Sequence, residues 1–287
     1  MDAFAKILQA RRLLHPKNDA HPGSPIPRTI YILWLQGERN APPLVQTNIR
    51  RWKVLNPEYD INVLELCHVE RLLKDEDLSI HGVAPQALAD IVRVKLLLLY
   101  GGIWADASVY PARPIDGLIA MAEEHCGFFA FYRPGADRII SSWFLIATKS
   151  HPIVVRFWEA VKAYWAVPRA LVKGIPENPI AVVSGRDPGF EGRYPYFWFH
   201  YLFQKTVEVD KNLGAVFRRM PRIYASTPHN LQFAFASRRS LPIQRVSRIL
   251  RSCPVHKLDW RSSYPAYILD SNHAFPPNWT AMLKCGA

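Results

Sequence analysis

The chain has 287 residues, 49% hydrophobic and 21% charged, with a mean hydropathy of −0.07; these values exclude a disordered tail, a collagen-like repeat and a membrane-embedded bundle. Its 36 Lys and Arg against 24 Asp and Glu leave +12, and from Lys205 onward 13 basic residues face 4 acidic ones, so 13 − 4 = +9 of that excess falls in the last third. Such a patch attracts nucleic-acid phosphates, anionic lipid headgroups or a diphosphate-bearing small molecule, and charge alone does not choose among them.

In chain order, Met1 to Asp19 reads as a short charged helix, followed by a Pro-rich lead, His21 to Pro27. Thr29 to Leu35 is rich in β-branched and aromatic residues and stops at Gln36-Gly37, which predicts a buried strand. Leu44, Val45, Ile49, Trp52 and Leu55 keep helical spacing up to Asn56-Pro57, and Tyr59 to Leu66 forms a second strand. Strand, helix, strand predicts a parallel pair. Pro85 to Tyr100 is a helix with Pro early and Gly101-Gly102 where a left-handed cap is wanted, and it delivers Ile103 to Ala105 as a short buried strand. Phe128 to Tyr132 and Trp143 to Ala147 read as strands, and Pro152 to Trp165 and Tyr196 to Val207 as helices. The pattern is an α/β fold: an open mixed sheet flanked by helices, with a less regular basic C-terminal third. The expected divisions are a lead over 1–26, a main body over 27–260 and an extension over 261–287.

Cys67, Cys126, Cys253 and Cys285 contain no close pair, so neither a zinc knuckle nor a C-x-x-C site is available. The longest uncharged apolar stretch, Leu96 to Ala105, falls far short of the ~20 residues that span a bilayer. With a charged first segment that makes a poor secretory signal, the expected location is the cytoplasm.

In open α/β sheets ligands sit beyond the carboxyl ends of the strands, which points to Gly37 and to Asp106. A helix ending in Gly-Gly, a tight turn and a short strand closed by a carboxylate place Asp106 at the sheet edge. An oxygen ligand there suits Mg²⁺ or Mn²⁺; capping a turn suits Asp equally, and spacing leaves both readings open. Asp90 and Arg93, three apart on one helix, share a face; they either pair with each other or project into the cleft beside Asp106. Trp34 within an apolar strand and His200 within an aromatic helix are, by spacing alone, core residues.

The stretch Ile26 to Gly37, then Arg51-Trp52, Asn56-Pro57, the block Asp90 to Ser108, Tyr196 to Phe203 and His256 to Trp260 together resemble the capsular polysaccharide synthesis protein family. That family is similar to the DXD-type glycosyltransferases of family 32, which include yeast outer-chain mannosyltransferases and glucosylating clostridial toxins. The resemblance implies a GT-A fold, a nucleotide-sugar donor with a UDP-sugar as the first expectation, Mn²⁺ or Mg²⁺, and retaining transfer to a glycan or lipid-linked acceptor in capsule or surface polysaccharide synthesis. Carried over by position, Trp34 and Gly37 lie at the nucleotide and Asp90 with Arg93 contacts the sugar. Asp106, Ala107 and Ser108 form the DXD element, Ser142 and Lys257 complete the donor site, and Asp106, Ser108 and His256 hold the metal. The third DXD position is Ser108, not a carboxylate, with Asp259 or a backbone carbonyl as substitutes.

Arg238 to Arg251 alternates basic and apolar residues near helical spacing, as in a helix that lies peripherally on an anionic membrane at its inner face; a helix packed on the body fits the same pattern. A basic nucleic-acid-binding protein is the rival reading, but no helix-turn-helix, RNP or zinc pattern supports it and no nucleic acid is expected. An inactive glycosyltransferase-like scaffold is the other rival, and Ser108 is its sign.

Overall fold

A computed structural model describes residues 24–237 and 241–270; the expected N-terminal helix and Cys285 lie outside them. β1 (Thr29–Leu33) and β2 (Asp60–Leu64) run parallel, Thr29 opposite Asp60 and Leu33 opposite Leu64. Between them α1 (Pro43–Leu55) starts on a proline and buries Leu44, Val45, Ile49 and Trp52 along one face, since side chains three and four apart share a side of a helix. β1 ends two residues earlier than its composition suggests, because the Gly37 N–H closes a turn on the Trp34 carbonyl at 2.9 Å. α2 (Leu66–Leu73) follows β2 directly.

α3 (Pro85–Tyr100) occupies the predicted span and hands over to β3 (Gly102–Ala105), which lies parallel to β1 with Ile30 opposite Ile103. The two glycines between them are required twice over. Gly101 and Gly102 adopt φ of +66° and +96°, and a Cβ would stand 2.5 Å from the Lys149 nitrogen at the first and 2.7 Å from the Thr29 carbonyl oxygen at the second. Only a residue without Cβ accepts both the left-handed backbone and the close approach.

After β3 come β4 (Val109–Pro111), α4 (Asp116–His125), and the hairpin of β5 (Phe128–Gly135) and β6 (Arg138–Ala147). β6 pairs antiparallel with β3, giving the order β2-β1-β3-β6-β5. The hairpin strands are longer than expected, because they continue through the polar tip around Gly135 and Arg138. Alternation along the strands divides the core. Tyr31, Leu33, Trp104 and Leu145 pack with α3, α5 (Pro152–Tyr164), α7 (Trp198–Val209) and α8 (Lys211–Arg218). Ile30, Ile32, Ile103 and Phe144 pack with α1 and α4 on the opposite face. β7 (Ala170–Val172), α6 (Pro179–Val183) and β8 (Arg193–Pro195) form a small flank, β7 and β8 being parallel.

The C-terminal third is more regular than its composition suggests. α9 (Ser226–Ser237), α10 (Ile243–Ser252) and β9 (Val255–Lys257) assemble on a third core cluster that includes Tyr110, Leu231, Val246, Leu250 and Leu258. β9 pairs antiparallel with β4, Val109 opposite Lys257 and Pro111 opposite Val255. Residues beyond 260 join this cluster through Tyr264 and Ile268 of α11 (Ala266–Leu269) and its neighbour, and the Thr47 hydroxyl donates to the Leu269 carbonyl at 2.7 Å. Most of the apolar face of α10 is thus spent on the body: Val246 and Leu250 are buried and Ile249 half-buried, while Ile243, Arg245, Arg248 and Arg251 are exposed. Among the described residues no helix is long and apolar enough to cross a membrane, and Cys67, Cys126 and Cys253 are free thiols.

Gly102 and Gly117 of α4 supply a contrasting test. Gly102→Ala is expected to cost about 1–3 kcal/mol, from forced strain at positive φ. Gly117→Ala, where a Cβ meets nothing within 4 Å, is expected to be neutral or to stabilise by up to about 1 kcal/mol. Urea midpoints of the two variants against the parent chain check both signs.

Candidate active site

Asp106 stands immediately beyond β3, and backbone bonds fix its turn from several sides. Its N–H donates to the Trp143 carbonyl at 2.9 Å, and its own carbonyl accepts from the Val109 N–H at 2.8 Å. The Ala107 carbonyl accepts from Asn48 Nδ2 of α1 at 2.9 Å, and the Ser108 carbonyl from the Leu258 N–H at 3.1 Å. The D-A-S turn is therefore clamped between the sheet edge, α1 and the segment after β9.

The Asp106 carboxylate is engaged at both oxygens. Oδ1 accepts from Arg93 Nη2 at 3.0 Å and from Trp104 Nε1 at 2.9 Å. Oδ2 accepts from Lys257 Nζ at 2.9 Å, and the same ammonium donates to Ser108 Oγ at 2.6 Å. Burial alone raises a carboxyl's pKa, but here Lys257 and then Arg93 outweigh it and hold Asp106 below the usual carboxylate range. Lys257 arrives through strand pairing, since its place opposite Val109 brings it beside residues about 150 positions earlier.

Asp90 and Arg93 do both things that the sequence left open. They form a direct ion pair on α3, 7% and 3% exposed, and Arg93 also reaches Asp106. Its guanidinium lies over the rings of Trp104, at 5.0 Å, and Phe199, at 5.5 Å. Arg93 lines the cleft; Asp90 does not. Burial pushes the Asp90 carboxyl up to about 7, with Arg93 opposing and Asp106 reinforcing the rise, and Ser142 hydrogen-bonds to it. Asp90 and Ser142 therefore form a layer behind Arg93.

The cleft itself is about 490 Å³, lined by Trp34, Arg93, Asp106, Ala107, Ser108 and Lys257 among others, and this volume is in the range of small-molecule sites. On its rim Trp34 and Trp260 meet edge to face, ring centres 5.4 Å apart, and the Arg261 guanidinium lies 4.5 Å from the Trp260 ring centre. Tyr196 and Asp259 also face it. Trp104, Tyr196 and Arg261 were not singled out by the sequence reading. For Trp104 a signal existed: it lies two residues before Asp106 next to a strand, so their side chains leave on one side.

Two expected site residues lie elsewhere. Gly37 borders a different cleft with Glu65 and His68; its φ is +83° and a Cβ would stand 2.6 Å from Glu65 Oε2, so its glycine character serves that packing. His256 is 0% exposed, its Nε2 lies 3.5 Å from the Leu250 carbonyl oxygen, and burial lowers its pKa to about 4. Next to Lys257 on β9, it faces the opposite side, into the body, and does not line the cleft. His200, 8% exposed and held neutral by burial with a pKa of about 3, is a core histidine, as spacing suggested.

This donor set does not fit a divalent cation. Mg²⁺ and Mn²⁺ need carboxylate oxygens with free lone pairs, placed for octahedral coordination. Asp106 Oδ1 already accepts from two N–H donors, and Oδ2 accepts from the ammonium that also donates to Ser108, so an ion chelated by that pair would have to displace Lys257 or stand against its charge. Asp259 Oδ1 accepts from the Arg261 N–H at 3.0 Å. Among the described residues, the one group of three His, Cys, Asp or Glu side chains with ligand atoms within 4.8 Å of one another is Glu65, Cys67 and His68. Two of these, Glu65 and His68, close the start of α2 as a reciprocal cap.

The model of a family described as capsular polysaccharide synthesis protein matches residues 4–173. The chain is 27% identical over 159 residues to the O-glycosyltransferase braB of Annulohypoxylon truncatum, covering 48% of this chain and 38% of that protein. It is 25% identical over 219 residues to the glycosyltransferase afumC of Aspergillus fumigatus, covering 68% of this chain and 54% of that protein. The chain thus spans about four to five tenths of the length of these curated relatives. A solved structure, PaToxG glycosyltransferase, aligns over 70% of this chain and 76% of its own, with 14% identity and a TM-score of 0.41.

Asp90 gives the site a pH signature. Its carboxyl titrates at about 7 in the folded chain against an ordinary 3.8, so between those values the folded chain holds a proton that the unfolded chain has released. Stability from this group is therefore full below that window and declines as pH rises through it. Asp90→Asn is expected to flatten this decline; melting temperatures of both proteins at about pH 5 and about pH 8 check it, and an unchanged slope would count against the assignment.

Proposed function

The chain belongs to the capsular polysaccharide synthesis protein family, and from that membership we propose that it is a glycosyltransferase of GT-A type, moving a sugar from a nucleotide-sugar donor to a glycan or lipid-linked acceptor. One observation carries the reading: a cleft at the carboxyl end of β1 and β3 in which Asp106 is held between Arg93 and Lys257. Ligands of open α/β sheets sit at this edge, and a diphosphate leaving group needs cationic donors in place before charge develops on it.

Each residue then has a role. The donor's diphosphate lies against Lys257 and Arg261, and its base packs on the Trp34–Trp260 rim. Arg93 faces the sugar, and Asp90 acts through Arg93 by holding its guanidinium in place. In the transfer, the bond from the anomeric carbon to the β-phosphate oxygen breaks and its electron pair goes to the diphosphate. The acceptor hydroxyl oxygen forms the new bond on the same face, and its proton passes to the departing diphosphate oxygen. Retention in this form needs no side-chain base, and the role of the chain is to orient the donor and to stabilise the leaving group. UDP-sugars are the first donors to test and growing surface polysaccharide is the proposed acceptor.

Calorimetric titration with UDP-, GDP- and CMP-sugars tests the class: one donor family should bind at about one site per chain. Asp106→Asn should lower turnover by about 10²-fold, the scale of losing one preorganised electrostatic contact, and undiminished turnover would remove Asp106 from the site. A lipid-linked acceptor would place the enzyme at the inner face of the cytoplasmic membrane. The exposed Arg245, Arg248 and Arg251 support that placement through charge, each contributing about 1 kcal/mol near an anionic surface. Sedimentation with anionic liposomes at low salt, lost when the three arginines become Glu, is the expected result; no sedimentation of the parent chain would dismiss it.

A further inference from the structure

We infer that Lys257 is the resident cation of this site and that nucleotide-sugar binding is independent of divalent metal. The inference rests on the donor-site reading above. It begins from what a metal does at such an edge: it bridges protein carboxylates and phosphate oxygens and neutralises both.

The Lys257 ammonium already performs the protein side of that bridge, at 2.9 Å from Asp106 Oδ2 and 2.6 Å from Ser108 Oγ. Charge count agrees. With both carboxylates ionised, Asp106 and Asp90 against Lys257 and Arg93 sum to zero, with a neutral hydroxyl at Ser108, so the cluster needs no added ion for neutrality. The Ser108 hydroxyl accepts from the ammonium without adding a negative charge that would call for a further cation. An added Mn²⁺ bound to the same two oxygens would stand roughly 3 Å from the ammonium, and in a partly buried cleft that repulsion amounts to several kcal/mol.

Lys257 also has the reach and the spare capacity. Its side chain is 20% exposed and it lines the cleft. An ammonium has three N–H donors; two are spent on Asp106 and Ser108, and among the described residues the third has no protein partner, which leaves it for a phosphate oxygen. Its backbone is fixed by the β4–β9 ladder and by the Leu258 N–H bond to the Ser108 carbonyl. The ammonium thus stands in place before any ligand arrives, as preorganised electrostatic stabilisation requires.

The test titrates the full chain with UDP, GDP and UDP-glucose in EDTA and again in Mn²⁺, and separately follows free Mn²⁺ by electron paramagnetic resonance. Nucleotide affinity is expected to agree within about twofold between the two buffers, and Lys257→Met to lose about tenfold or more in both, the scale of a charge-assisted hydrogen bond. Lys257→Arg, which keeps the charge, should retain most of the affinity and guards against a Met variant that does not fold. The parent chain without nucleotide should show no bound Mn²⁺ that Asp106→Asn abolishes. Nucleotide binding that appears only with Mn²⁺, together with a bound-Mn²⁺ signal lost in Asp106→Asn, overturns the inference and leaves the donor-site reading standing. A folded chain that binds no nucleotide in either buffer defeats the donor-site reading itself, and this inference with it.

Discussion

A carboxylate half withdrawn from water must be neutralised where it stands, and the arrangement around Asp106 meets that requirement. Its partners come from three places in the chain: Arg93 from α3, Trp104 from β3 and Lys257 from β9. None of these is close by sequence accident alone. The Gly101-Gly102 turn sets α3 against β3, so that Arg93 and Trp104 reach the same oxygen, and the β4–β9 ladder brings Lys257 to the other. Leaving any of them out would strand a buried charge, which costs more than the pair itself contributes. The geometry of the cleft is thus tied to the integrity of the sheet edge.

That dependence explains why the C-terminal third is folded onto the body. β9 is three residues long and would have little hold as an isolated ribbon. It is kept in register by the core cluster beneath it, in which Tyr110 of β4 packs with Leu231, Val246, Leu250 and Leu258. The Arg51 side chain adds a hydrogen bond to the Pro111 carbonyl at 3.0 Å and lies over the Tyr110 ring at 4.5 Å. The distribution of side chains along α10 follows from the same demand, because its apolar positions are needed for this cluster.

The central sheet was legible because its signals are local. Pro85 to Tyr100 announces a helix at both ends, and Gly101-Gly102 announces a backbone that no other residue type can adopt. Asp106 and Arg93 were also legible from spacing, and Lys257 through family likeness. What the sequence hides is direction. His256 and Lys257 are neighbours in a motif, and only the pairing of β9 with β4 decides that one faces the core and the other the cleft. Gly37 ends the right strand, yet the turn after Trp34 carries it to Glu65 and away from Asp106. Of the helices after Lys205, α10 was legible from its basic and apolar spacing within Arg238 to Arg251, whereas α8 and α9 were not, because short helices are specified by the cluster they cover more than by their own propensity.

The basic excess shows the same limit in electrostatic form. Thirteen Lys and Arg follow from Lys205 to the end of the chain, yet among the described ones only Lys257 and Arg261 line the cleft. The α10 arginines are exposed to water, where each interacts weakly with a ligand many ångströms away, because salt screens charges beyond about a Debye length. Lys257 is different in kind: it is shielded on most sides, anchored by two hydrogen bonds and fixed through its backbone, so its single charge acts at close range in a medium of low dielectric. A census of charge therefore records a long-range field, which governs encounter and solubility, while the local field in the cleft is set by the ammonium and the guanidinium that the fold has placed against Asp106.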